Sequence, residues 1–280
     1  MRVGSPVRVV VVSNGNAFST TMIRPLVEDP EIDVAGALIA SVPSGRGGPL
    51  ATLWRLTRRT GVRFATYKAL SLAVPAIAGR RFRAPVFLRD LCRARGVPSR
   101  SVRSVNGEEA GAFLRRAAPD VIVSVSTPER ILPEVLGLAR VAPVNVHWAL
   151  LPAYGGIAPY VWVLGNGERE TGVTVHVMNE RLDTGPILRQ RPVEVTRDET
   201  ALSLQLRLAS VAGEELHAAI LALPESLATA KEQPSGGGSY YTWPRRSDVR
   251  ALRRRGSRLA RWRDLRSMWL EARTLRDRDA

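Results

Sequence analysis

The chain predicts an α/β fold on a mostly parallel sheet, followed by a basic helical extension. Three observations carry this. Over the first two thirds of the 280 residues, β-branched runs alternate with helix-like segments, the pattern of strands joined by crossover helices. The first runs are continuously apolar, as strands buried on both faces require. Beyond residue 224 the strands give way to a linker-like stretch and then to arginine-rich helix.

Residues 7–14 (VRVVVVSN) read as a buried strand ending in a polar loop, and turn then helix follow to residue 29. Second and third strands lie at 34–41 and 101–105, with a helix over 106–120. Further strands occupy 120–126, 142–148, 172–178 and 187–195, and a helix from about residue 200 to 221 closes the compact part. Between the second and third strands lies a long insert, roughly 43–100. In it Arg55, Arg58, Arg59 and Arg63 stand at i, i+3, i+4 and i+8, with Trp54, Phe64, Tyr67 and Leu70 elsewhere on the wheel. Such a helix either rests on an anionic surface or packs its apolar stripe on the domain and solvates its arginines. The expected organisation is a compact domain over 1–224, a linker over 225–243 and an Arg-rich helical tail over 244–280.

Composition bounds the function. With 45% hydrophobic and 24% charged residues the chain matches an ordinary globular protein. One cysteine, Cys92, excludes an internal disulfide and a Cys-based metal cluster, and three histidines leave little for any metal site, so no metal is expected. No apolar run approaches the roughly 20 residues of a membrane span, and the N-terminal segment does not read as a secretion signal. A cytoplasmic location is expected. The net charge is +15, and 13 Arg against five Asp/Glu in 245–280 place +8 of it in the tail. That charge attracts anions such as nucleic acid or acidic lipid, or simply reflects an Arg-rich composition.

The stretch 145–188 carries the chemistry. Asn145 and His147 are two apart at the end of a predicted strand, so their side chains share one face. The carboxyl edge of a parallel sheet is where ligands bind in such folds. A carboxamide beside an imidazole can hold a developing oxyanion and move protons. Asp183, in an LDTG loop, supplies a carboxylate to orient the imidazole and favour its charged form. An Asn and a His satisfied within the core would show the same N-x-H spacing.

Several ordered motifs then coincide: Asn145-x-His147, Leu150-Leu151-Pro152, Gly172-Val173-Thr174 and Asp183-Thr184-Gly185. Together they resemble the 10-formyltetrahydrofolate-dependent formyltransferases, which include phosphoribosylglycinamide, methionyl-tRNA and sugar N-formyltransferases and a deformylase. The resemblance implies a Rossmann-like catalytic domain and a catalytic set of Asn145, His147 and Asp183, with 10-formyltetrahydrofolate as formyl donor and no metal. It places the pterin beside Arg130, Ile131 and Leu132 on one side and Leu182, Thr184 and Gly185 on the other. Two departures stand out. Trp148-Ala149 replaces the family's usual Pro-Ser, and Gly155-Gly156 lacks the common Arg, which leaves open any contact of that Arg with phosphate or nucleic acid.

The same resemblance implies a primary amine as acceptor. The segment around His176 is similar to that of the sugar and small-amine enzymes, so His176 is a candidate substrate contact as well as a candidate buried structural histidine. The loop Asn14-Gly15-Asn16 resembles a phosphate-cradling turn at a helix N-terminus. Residues 225–280 are too few for the barrel-like domain of the tRNA enzymes. A small-molecule or nucleotide-sugar amine is therefore the favoured acceptor, with tRNA, held through the basic tail, as the alternative. A non-catalytic RNA- or membrane-binding relative is the alternative of another class.

Overall fold

The computed structural model describes residues 6–40, 48–234 and 238–279. Residues 41–47, which take in the end of the expected second strand and the start of the insert, linker residues 235–237 and residues 1–5 and 280 lie outside the described residues.

Along the chain run β1 (Val7–Ser13), α1 (Ala17–Glu28), β2 (Ile32–Ala40), α2 (Gly48–Thr60), α3 (Val62–Phe82), α4 (Leu88–Ala94), β3 (Ser99–Val102) and α5 (Glu108–Ala117). Then come β4 (Val121–Val125), α6 (Pro133–Leu136), β5 (Ala142–His147), β6 (Gly155–Gly156), α7 (Pro159–Asn166), β7 (Glu170–Val177) and β8 (Ile187–Glu194). The last elements are α8 (Ala201–Leu221), α9 (Leu223–Ala228), β9 (Tyr240–Tyr241), α10 (Arg246–Arg254) and α11 (Trp262–Asp279).

Seven strands form one sheet in the order β3-β2-β1-β4-β5-β7-β8. The first five are parallel, and β7 and β8 turn antiparallel. The valines of β1 show why it is central. Val9 and Val11 enter the apolar core on one face, Val10 and Val12 the core on the other. Each fully buried valine is worth roughly 1.5–3 kcal/mol, which fixes the strand with no polar face. On the first face α8 lies along α1, and Gly213 permits the approach, since a Cβ there would stand 3.1 Å from the Thr21 carbonyl oxygen. On the second face α5 and α6 contribute Leu114, Val135 and Leu136.

The basic helix expected across 54–70 is two helices. Gly61 sits at φ +88° between α2 and α3, a conformation that costs glycine little and other residues much. Phe64 and Tyr67 are buried on α3, whereas Trp54 and Leu70 face solvent.

The C-terminal segment also differs from a linker and a single helix. Residues read as linker include α9 and β9, and Lys231 pairs with Ile187 of β8 through both backbone groups. The tail folds into α10 and α11. The first buries Val249 and Leu252 and packs on α7; the second lies against α3, with Trp269 edge-on to Phe82 at 5.3 Å. Asp264 of α11 accepts a hydrogen bond from Thr200 Oγ1 at 2.8 Å, tying the tail to the N-cap of α8. Among the described residues no helix is long and apolar enough to cross a membrane.

Candidate active site

The polar cluster stands at the carboxyl edge of the parallel strands, where the sheet changes from parallel to antiparallel. The register of β5 against β7 sets Asn145 opposite His176 and His147 opposite Thr174. Period-two alternation therefore places the carboxamide and both imidazoles on one face.

Each imidazole has one nitrogen committed to a backbone carbonyl. His176 Nδ1 lies 2.9 Å from the Val177 carbonyl oxygen, which can only accept, so Nδ1 carries the proton. Its Nε2 then accepts from Asn145 Nδ2 at 3.1 Å. Burial holds His176 below the ordinary imidazole range, against the opposing pull of the Asp183 carboxylate, so the ring stays neutral. His147 is likewise buried and donates from Nε2 to the Tyr154 carbonyl at 2.9 Å. Its Nδ1 faces Asp183 Oδ1 at 3.7 Å. Asp183 Oδ1 also lies 3.8 Å from His176 Nε2, so one carboxylate oxygen stands between two rings.

Three devices hold Asp183. Its backbone is left-handed at φ +58°. Its Oδ2 accepts from the Gly156 amide at 2.8 Å. Gln233 donates to the carbonyls of Asp183 and Gly185 at 3.1 and 2.8 Å. Gly185 is required by close approach, because a Cβ there would fall 1.9 Å from the Val177 carbonyl oxygen, the same atom that orients His176. The loop after His147 is fixed by Thr174, which donates to the Ala149 carbonyl at 2.6 Å and accepts from the Leu151 amide at 3.1 Å. Trp148, at one of the two departures from the family pattern, is spent on packing: its indole N–H points at Met22 Sδ and its ring meets Phe18 edge-on.

The structure thus brings Asn145, His147, Asp183 and His176 into one cluster. Asn14, Gly15 and Asn16 form the turn from β1 into α1, where the asparagine side-chain oxygens are spent on the turn and the helix start and the Gly15 carbonyl accepts from the Leu88 amide. Asn16 Oδ1 caps the Ser19 amide at 3.0 Å, and Asn14 Oδ1 accepts from the Asn16 amide at 3.1 Å. On the pterin side, Asn106 straps the segment by accepting from the Leu132 amide at 2.8 Å and donating to the Arg130 carbonyl at 2.9 Å. Ile131 is buried with Val135 and Met178, while Leu132 and Leu182 keep exposed side chains. Thr184 Oγ1 donates to Asn179 Oδ1 at 3.0 Å and so closes its own loop.

Sequence reasoning missed the C-terminal wall of this site. Gly156 of β6 pairs with Tyr241 of β9, and Ser239 Oγ accepts from the Tyr154 amide at 2.8 Å. Tyr241 stacks between Tyr154 and Trp162, with ring centroids at 5.3 and 4.7 Å. Tyr240 lies over β6, and burial together with the Asp183 charge pushes its hydroxyl above the ordinary phenol range. Two-residue strands leave no periodicity to find; the Gly-Gly at 155–156 and the Tyr-Tyr after a glycine run were the available signals.

Fold and site together define a Rossmann-like α/β protein with two buried imidazoles beside a partly buried amide and carboxylate at its sheet edge. Residues 80–220, half of the chain, match the formyl transferase family, and the chain belongs to that family. It is similar to methionyl-tRNA formyltransferase of an Anaeromyxobacter species, with 42% identity over 142 residues, 51% of this chain and 45% of the relative. The chain spans about half the length of the curated relatives it matches. Among solved structures, the fold is shared with phosphoribosylglycinamide formyltransferase of Anaplasma phagocytophilum, at a TM-score of 0.55 and 18% identity over 85% of this chain and 100% of that one. It is shared too with an N-formyltransferase of Helicobacter canadensis solved with folinic acid and dTDP-3-aminofucose, at a TM-score of 0.54 and 14% identity over 87% and 72%.

Proposed function

We propose that the chain transfers the formyl group of 10-formyltetrahydrofolate to a primary amine, with a small-molecule or nucleotide-linked sugar amine as acceptor. The observation that carries this is the shared environment of Asn145, His147 and Asp183, set by β5, β7 and the 179–186 loop. The folate supplies the activated formyl carbon. The exposed Leu132 and Leu182 side chains and the strapped backbone at 130–132 suit a flat, hydrogen-bonding pterin.

This chain's residues divide the remaining work. Asn145 Nδ2 has one hydrogen committed to His176 and one left to donate where negative charge develops on the formyl oxygen. His147 Nε2 is already spent on Tyr154, so Nδ1 is its working nitrogen, and it donates there when protonated. Asp183, held by the Gly156 amide and facing that nitrogen, takes the proton the amine loses as its nitrogen bonds to the formyl carbon. As the oxyanion re-forms the carbonyl, the bond from that carbon to the folate nitrogen breaks, and the departing nitrogen takes the proton held by Asp183, so that the formylated amine and tetrahydrofolate leave and the carboxylate is restored.

The curated relatives' name and the basic α10 favour a second acceptor, a methionyl-tRNA. One experiment separates the two. The purified chain is mixed with 10-formyltetrahydrofolate and a panel of nucleotide-linked aminosugars, small amines and methionyl-tRNA, and tetrahydrofolate release is followed by absorbance. Release confined to methionyl-tRNA replaces the first acceptor with the second. Release without any amine marks a deformylase, and silence throughout overturns the proposal.

A further inference from the structure

The insert carries a surface that formyl transfer does not use. Between Asp33 and Asp90 the sequence has no Asp or Glu but nine arginines and one lysine. Helix α3 crosses this stretch, and its solvent face is apolar along its middle. Val62, Leu70, Leu72 and Ile77 are 67, 39, 51 and 57% exposed, and the smaller Thr66, Ala69 and Ala73 are exposed between them. The one cation between Thr66 and Ile77, Lys68, is turned away from solvent, over the rings of Tyr67, Tyr160 and Trp243 at 5.4, 5.7 and 5.9 Å. Charge returns only at the helix ends, with exposed Arg63 at one and exposed Arg80 and Arg81 at the other. On α2, Trp54 is 61% exposed beneath the Arg58 guanidinium. Among the described residues no carboxylate forms an ion pair with Arg58, Arg63, Arg80 or Arg81.

A solvated helix carries polar or charged residues on its outer face. Here an apolar middle is flanked by unneutralised cations, the arrangement of a helix that lies in a membrane interface with its arginines at the headgroups. Two other occupants fit less well. A polyphosphate chain would meet the uncharged middle of the face. A second copy across a two-fold axis would set the arginines of α2 and α3 against helices that carry no acid of their own. We propose that α2 and α3 form a peripheral docking surface for an anionic phospholipid bilayer. The proposal is independent of the formyl-transfer reaction, and an inactive chain would leave its test untouched.

The test is co-sedimentation of the full chain with vesicles of phosphatidylglycerol and phosphatidylcholine, against vesicles of phosphatidylcholine alone, at low and high salt. Binding is expected to the anionic vesicles and to weaken with salt. Each arginine near such a surface is worth about five-fold in partitioning, so Arg80→Gln with Arg81→Gln is expected to lower it about 30-fold. Leu72→Glu with Ile77→Glu is expected to lower it at least about ten-fold. These positions are exposed, so circular dichroism and turnover with a soluble amine are expected to stay unchanged. Equal binding to neutral vesicles, no binding to anionic ones, or binding that survives both variant pairs overturns the proposal. So does a concentration-dependent dimer that Leu72→Glu with Ile77→Glu abolishes, which would make the face a self-association surface.

Discussion

His176→Leu tests whether this imidazole works through its neighbour. The substitution removes the acceptor for Asn145 Nδ2 at 3.1 Å and the donor to Val177 at 2.9 Å. A neutral hydrogen bond contributes about 1 kcal/mol net, and a buried donor left unpaired costs about 1–3 kcal/mol. If that cost falls on a carboxamide now free to rotate away from the developing charge, the barrier rises by about 1.5–3 kcal/mol, a loss of about 10- to 150-fold in kcat. With Asn145→Ala already in place there is no carboxamide to misorient, and His176→Leu is expected to cost less than about three-fold more. The assay is tetrahydrofolate release for wild type, both single variants and the double variant, with kcat and KM separated and thermal denaturation run alongside. Rate losses that multiply, with the same factor for His176→Leu in both backgrounds, would refute the coupling and leave His176 a packing residue.

Other predictions follow from the same geometry. Asn145→Ala, His147→Ala and Asp183→Ala are each expected to lower turnover by about 100-fold or more, the scale of a deleted oxyanion donor; near-normal rates in any of them remove that residue from the mechanism. Gly156→Ala places a Cβ 2.1 Å from the Tyr241 carbonyl oxygen at a φ of +95°, so both the β6–β9 pairing and the amide on Asp183 should be lost. Loss of activity together with a melting temperature lowered by several degrees is expected, by calorimetry and turnover. Gln233→Ala withdraws two hydrogen bonds from the Asp183 loop and is expected to cost about 1–3 kcal/mol, read as a shift in urea midpoint. His176 also makes stability depend on pH. Its imidazole is held neutral below the ordinary value of 6.5, so as pH falls below that value the unfolded chain takes a proton the folded chain refuses. Folded stability then declines until the folded ring itself titrates. Between pH 7 and pH 5 the urea midpoint should fall more steeply in wild type than in His176→Leu, and equal slopes would refute the assignment.

The sheet was legible because strands buried on both faces leave an unbroken apolar signature, as Val9 to Val12 do in β1. Asn145, His147 and Asp183 could be singled out because two lie at one strand end and the third in a glycine-flanked loop. What escaped depends on contacts distant in sequence. Gly61 reads as a tolerable residue inside a helical pattern, and only the packing of Phe64 and Tyr67 shows that the helix must break and restart there. The arginine count of 245–280 hid the spacing of Val249, Leu252, Met268 and Ala272, which bury α10 and α11 on the domain. Gln233 and Ser239 gave no signal at all, since their hydrogen bonds reach back 48 and 85 residues.

That long reach has a consequence for the chain as it is made. The seven-stranded sheet is complete once Glu194 has been added, yet the brace on the Asp183 carbonyl arrives with Gln233 and the wall over Gly156 with Tyr241. A chain cut short after α9 keeps every strand of that sheet but lacks both braces and the apolar contacts of α10 and α11, and is expected to be idle and less stable. The placement of the carboxylate thus depends on residues 233–241, 50 or more positions beyond Asp183 itself.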